Sequence, residues 1–148
     1  DPTDPLRGMV SAIVAKQLDK IVGYACAASK AYVTSEYDIR PDLTTMLKDV
    51  PKVTPDDLLG AMTFTVVNVT YSTVSRDGNK ATVAMTGVMR ISFDRQKFTD
   101  VFRAAGYAPT TAQIDGLMAV FAPWATEGLP LDSKDPVILE GDTWLICK

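Results

Sequence analysis

A chain of 148 residues, 47% apolar and 22% charged, is long enough to bury one hydrophobic core and short for two domains, so the sequence reads as a single domain over 1–148. Its net charge of −3 comes from 15 basic and 18 acidic residues scattered without runs. That pattern excludes an electrostatic nucleic-acid interface and a basic membrane-surface helix. No apolar stretch approaches the ~20 residues of a membrane span. Two cysteines without a histidine cannot complete a zinc site, so no metal and no cofactor are expected.

The first segment has helical spacing. Asp4 is placed to cap it, and Pro5 suits the first helical position. Leu6, Met9, Val10, Ile13, Val14, Leu18, Ile21 and Val22 then recur on one stripe. Asp19 is placed to cap a second helix running through Cys26 to about residue 31, although one continuous helix fits the same residues. Cys26 and Cys147 fit two buried thiols or a disulfide. The even count and the position of Cys147 near the end of the chain favour the disulfide.

Pro41 opens another helical stretch, with Leu43, Met46, Leu47 and Val50 on its buried side. Thr54-Pro55-Asp56-Asp57 has the pattern of a helix cap with proline at the first position, leading into one turn that ends near Gly60.

The clearest β signal runs from Met62 to Phe93 and is dense in Val, Thr and aromatic residues. Asp77-Gly78 is the preferred pair for a two-residue hairpin loop. With those two in the loop, Phe64 faces Ile91, Val66 faces Met89 and Thr70 faces Met85, all on one apolar side. On that side Asn68 sits opposite Gly87, and Thr70 and Ser72 continue the row. Val67, Val69, Tyr71 and Val88 form an apolar strip on the other side, a surface through which the sheet can pair as a homodimer.

Residues 95–130 return to helical spacing. Asp94 caps a helix carrying Phe98, Val101 and Phe102, and Gly106 ends it. Thr110-x-x-Gln113 is a capping-box pattern for a helix carrying Ile114, Leu117, Met118 and Phe121, which Pro123 is expected to stop. Trp124 reads as core packing or as a partner-facing residue. Two short strands around Gly141-Asp142 close the chain.

The order of elements, with the ending Leu139-Glu140-Gly141-Asp142-Thr143-Trp144-Leu145-Ile146-Cys147, resembles the NTF2-like (cystatin-like) superfamily. Asp19 with Cys26, and Trp144 with Cys147, are similar to the arrangement in small exported bacterial lipoprotein domains of that group. The resemblance covers most of residues 5–93 and 137–147, and the helical stretch at about 95–130 departs from it as an insertion between strands. It implies an α+β fold with a curved antiparallel sheet wrapped as a cone around N-terminal helices. It also implies an exported, extracellular or periplasmic setting. An export signal or lipid anchor is expected ahead of Asp1, because the chain opens on a residue other than Met.

Fold does not decide function in such a superfamily. Absent histidine removes the commonest general base and every Ser-His or Cys-His nucleophile. What remains for an enzyme is an isomerase or dehydratase using a cavity carboxylate with a phenol beside it, as in steroid isomerases. Candidates by residue type are Asp19, Asp94, Tyr24 and Tyr71, each of which also has a plain packing or capping role. The favoured reading is non-catalytic: a domain that binds a small apolar ligand in a cavity or a protein partner at the cell envelope. The residues expected to line such a cavity are Asn68, Thr70, Ser72, Met85, Gly87 and Tyr24. A structural module of a cell-envelope assembly is the third reading.

Overall fold

The computed structural model describes residues 1–148. The fold is α+β, with helices at the N-terminus and a curled antiparallel sheet. Two helices are inserted between strands. The chain forms two compact units: residues 1–38, 66–89 and 130–148 make the first, and 39–65 with 90–129 make the second.

In the first unit, helix α1 (Asp4–Val14) buries Leu6, Met9, Val10 and Ile13. Thr3, not Asp4, occupies the N-cap position, and Asp4 lies in the first turn, where its charge favours the helix dipole. The helix stops without glycine. Lys16 takes φ 61°, its N–H donates to Ile13 O, and the Gln17 N–H donates to Ala12 O. These two bonds are the Schellman arrangement, with a lysine in the left-handed position that glycine usually fills.

The helix expected from Asp19 to about residue 31 does not form as one element. Leu18–Tyr24 and Ala27–Ser29 are 3₁₀ turns, and helix α2 covers Lys30–Tyr37. The cause is long-range: Ala25 is extended and pairs with Ile146, and the Cys26 N–H donates to Ile146 O.

Strand β1 (Met62–Asp77) and strand β2 (Lys80–Phe93) run through both units. The loop between them is Gly78-Asn79, one residue later than the Asp-Gly pair implied. Gly78 takes φ 58° as the first loop residue, the place where a II′ hairpin requires glycine. Phe64, Met89 and Ile91 are buried as expected, but Val66 is 38% exposed. Thr65 and Val66 are exposed in succession, so the alternation slips by one residue. Beyond that point Val67, Val69 and Tyr71 are half-buried while Asn68, Thr70 and Ser72 are exposed. A one-residue slip moves every later side chain to the opposite face. Asn68 at φ 52° and Gly87 at φ 141° mark the irregular backbone there.

Strand β3 (Leu129–Pro130) pairs with β2, and strand β4 (Ser133–Glu140) joins β2 in register Ala81 to Val137 and Val83 to Asp135. Strand β5 (Thr143–Ile146) closes the sheet beside β4 and packs against α1.

In the second unit, helices α3 (Arg40–Met46) and α4 (Pro55–Leu59) precede the hairpin. The Thr54–Asp57 capping box is formed in both directions. Helices α5 (Arg95–Ala104) and α6 (Thr111–Thr126) follow it. Pro123 does not stop α6: it sits exposed inside the last turns, and its carbonyl accepts from both Glu127 and Gly128 N–H groups. The centre of this unit is a ring cluster in which Phe93 and Phe98 lie 5.1 Å apart, Phe93 and Phe121 4.7 Å, and Phe98 and Phe102 5.1 Å. Those spacings suit edge-to-face and tilted aromatic contacts. Trp124 is half-buried with its ring 5.4 Å from Phe121, so it packs on this cluster.

Candidate functional site

An apolar concavity lies in the second unit and is built by the connection from α5 to α6. Asp94 caps α5 by accepting from the Lys97 N–H, and Phe98 and Phe102 face inward. Gly106 takes φ 91°, and the Tyr107 N–H donates back to Phe102 O. That reversal sets the Tyr107 ring 6.4 Å from Phe102. Pro109 then leads into Thr110, whose hydroxyl accepts from the Gln113 N–H while the Gln113 side chain accepts from the Thr110 N–H.

Between these segments lies a groove of about 500 Å³. Its walls include Val50, Phe102, Tyr107, Pro109, Gln113 and Leu117, with Gly116 leaving a gap in the α6 wall. No charged side chain lines it. Its size and composition match the common small-molecule pocket, mostly apolar with few polar groups. A side chain added at Gly116 would meet no other atom within 4 Å. A second groove of about 400 Å³ follows the opposite flank of α6, past Phe93, Met118, Phe121 and Ala122.

The first unit carries an enclosed ionisable cluster. Asp135 on β4 is fully buried. The Tyr32 hydroxyl donates to its Oδ1 at 3.0 Å, and the Tyr37 hydroxyl approaches Oδ2 at 3.5 Å. Burial, then the hydrogen bond and charge of Asp135, push the Tyr32 phenol up to about 12. Burial pushes Tyr37 up as well, against the opposing effect of the nearby Ser133 hydroxyl, and the Asp135 charge adds to the rise. The Ser133 Oγ is enclosed there without reaching hydrogen-bond geometry. Lys148 Nζ donates to the Tyr32 hydroxyl at 3.1 Å and lies 4.5 Å over its ring.

Ser29 and the disulfide hold that end of the chain. The Ser29 hydroxyl donates to Lys148 O and accepts from Lys148 N–H, and Cys26 is bonded to Cys147. No free cysteine remains. This cluster braces α2 against β4. Asp135 stands just ahead of the apolar run Val137-Ile138-Leu139 and next to Ser133 and Lys134, so the residue order alone does not mark it as buried.

The cavity residues expected from the sequence line neither of these two grooves. Asn68, Thr70 and Ser72 are exposed, and the Thr70 and Thr86 hydroxyls pair with each other at 2.6 Å. Met85 is fully buried. Gly87 is half-buried, and a Cβ there would lie 2.8 Å from the Val69 Cα, so the backbones meet too closely for a side chain. Tyr24 lays its ring over Gly8 of α1, where a Cβ would fall 2.3 Å from a ring carbon. Asp19 is exposed in a 3₁₀ turn, Asp94 is a helix cap, and Tyr71 lies under the Arg7 guanidinium at 4.5 Å. The apolar strip proposed as a homodimer face is therefore half-buried, and Tyr71 lies on the side that α1 covers.

No group of acidic or sulfur side chains is placed to hold a metal. No helix is long and apolar enough to cross a membrane. Comparison with family models, with curated proteins and with solved structures finds no match to this chain.

Proposed function

We propose that this chain is a non-catalytic binding domain that holds a small apolar ligand in the groove between Tyr107 and α6. The observation that carries the reading is an apolar groove of about 500 Å³ with no charged side chain in its lining. A ligand site needs concave apolar area and a few polar groups, and the groove has both. General acid–base work needs a titratable group in the site, and the groove offers none but the Tyr107 phenol. For the alternative acid–base enzyme, Asp135 is an enclosed carboxylate of the type required, with phenols beside it. That group is fully enclosed and already faces two phenols, which supports a bracing role.

The reading includes export to an oxidising compartment, for which the intramolecular disulfide is the supporting observation. Kinship with NTF2-like domains, and anchoring by a lipid ahead of Asp1, are further parts of the proposal. They rest on the order of elements and on the Leu139–Cys147 ending.

The test is Gly116→Leu. Position 116 is helical and open, so leucine adds helix propensity, about 0.8 kcal/mol, and fills the groove without displacing anything. A neutral naphthalene fluorophore is expected to bind the wild type saturably at one site. The variant is expected to unfold at the same or a higher temperature and to lose that binding. Undiminished binding in Gly116→Leu would move the ligand elsewhere.

A further inference from the structure

The polar groups of the groove point to one ligand chemistry, and this inference rests on the groove being the ligand site. Gln113 and Tyr107 are the polar side chains in its lining. Each already has an acceptor engaged by the chain itself. Gln113 Oε1 accepts from the Thr110 N–H at 2.9 Å, which fixes the amide orientation and leaves its Nε2 hydrogens without a protein partner. The Tyr107 hydroxyl oxygen faces the Lys52 N–H at 3.5 Å, a long contact, and its own hydrogen has no acceptor in the protein. A neutral amide and a phenol therefore present donors to an otherwise apolar space.

We infer that the groove selects an uncharged apolar molecule carrying a hydrogen-bond acceptor such as a carbonyl oxygen. A hydrocarbon would leave both donors unpaired, which costs free energy once water is expelled. A carboxylate would bring an acceptor but also a charge into a lining with no cation to meet it.

Three isosteric probes separate these cases: 2-acetylnaphthalene, 2-isopropylnaphthalene and 2-naphthoate. Two variants remove the donors singly. Gln113→Glu keeps the capping box, because glutamate serves at that position, and Tyr107→Phe removes only the hydroxyl. Thermal unfolding is recorded for both. The ketone is expected to lose about fivefold in affinity in each variant, in line with one neutral hydrogen bond of about 1 kcal/mol, while the hydrocarbon stays within twofold. Naphthoate is expected to bind at least tenfold more weakly than the ketone at neutral pH.

Equal losses for ketone and hydrocarbon, no loss in either variant, or naphthoate as the tightest probe would each overturn the assignment of ligand chemistry and leave the groove standing. If no probe binds in a manner sensitive to Gly116→Leu, the groove itself is not a ligand site, and both readings fall.

Discussion

The two compact units of this chain reach stability by different chemistry. All five phenylalanines, Phe64, Phe93, Phe98, Phe102 and Phe121, belong to the second unit, and none of its residues is cross-linked. The first unit holds both cysteines, four of the five tyrosines and the buried Asp135. Aromatic packing needs no partner atoms beyond shape and closeness. The polar brace needs every donor placed and one end of the chain held down, which the disulfide and Ser29 provide. The lesson is that the unit carrying open apolar grooves is the one fixed by ring contacts, while the unit with buried charge is closed around it.

Four experiments sharpen that contrast. The largest effect is expected from Phe98→Ala, which removes a fully buried ring at the centre of the cluster. It should cost about 3–5 kcal/mol in denaturant unfolding. A cost near 1 kcal/mol would mean that the rings are not the organising core of the second unit.

Next is removal of the disulfide by Cys26→Ala with Cys147→Ala. The cross-link closes a loop of 121 residues, for which the chain-entropy model gives about 4–5 kcal/mol and engineered cases more often 2–4. Hydrogen exchange should quicken in α1 and β5 and hardly change in α5 and α6. Equal quickening in both sets would contradict the separation of the two units.

Alkaline titration gives a smaller, signed effect. Free tyrosine ionises near pH 10. Tyr32 holds its proton to about 12 and Tyr37 is also raised, so the unfolded chain loses these protons first. The folded state then binds more protons than the unfolded one, and stability must fall as pH rises from about 10 to about 12. Below pH 10 these two phenols add no slope. Tyr32→Phe should make the decline shallower, whereas Phe102→Leu in the other unit should leave its steepness alone. A decline of the same steepness in Tyr32→Phe would remove the brace from the account.

The smallest change is Lys16→Gly. A lysine in the left-handed position at the end of α1 carries a conformational cost that glycine avoids, and the Schellman bonds use only backbone. A gain of about 0.5–1 kcal/mol is expected from thermal unfolding.

Local chemistry was legible in the sequence because its partners lie within one turn. The capping boxes at Thr54 and Thr110, the Asp94 cap and the glycine stop at Gly106 all form as the residue types dictate. The long hairpin was equally plain, since β-branched residues alternate on both sides of a turn signal. Its exact loop and the slip after Phe64 were not, because register depends on what each face packs against. Pro123 stays inside α6 despite its helix-breaking tendency.

The candidate site was the least legible part. Val50 and Gln113 come together only through the fold, and no spacing rule links them. The brace is the same case: Tyr32 and Asp135 lie 103 residues apart. By itself the sequence determined the α+β class, the helix caps and the hairpin, because those arise from contacts a few residues long. The tertiary structure alone decided which side of the hairpin is covered beyond Phe64, which phenols keep their protons and where a groove stays open. Cavity shape and the pairing of distant polar groups are properties of residues that meet across the chain, and apolar spacing within one element does not encode them.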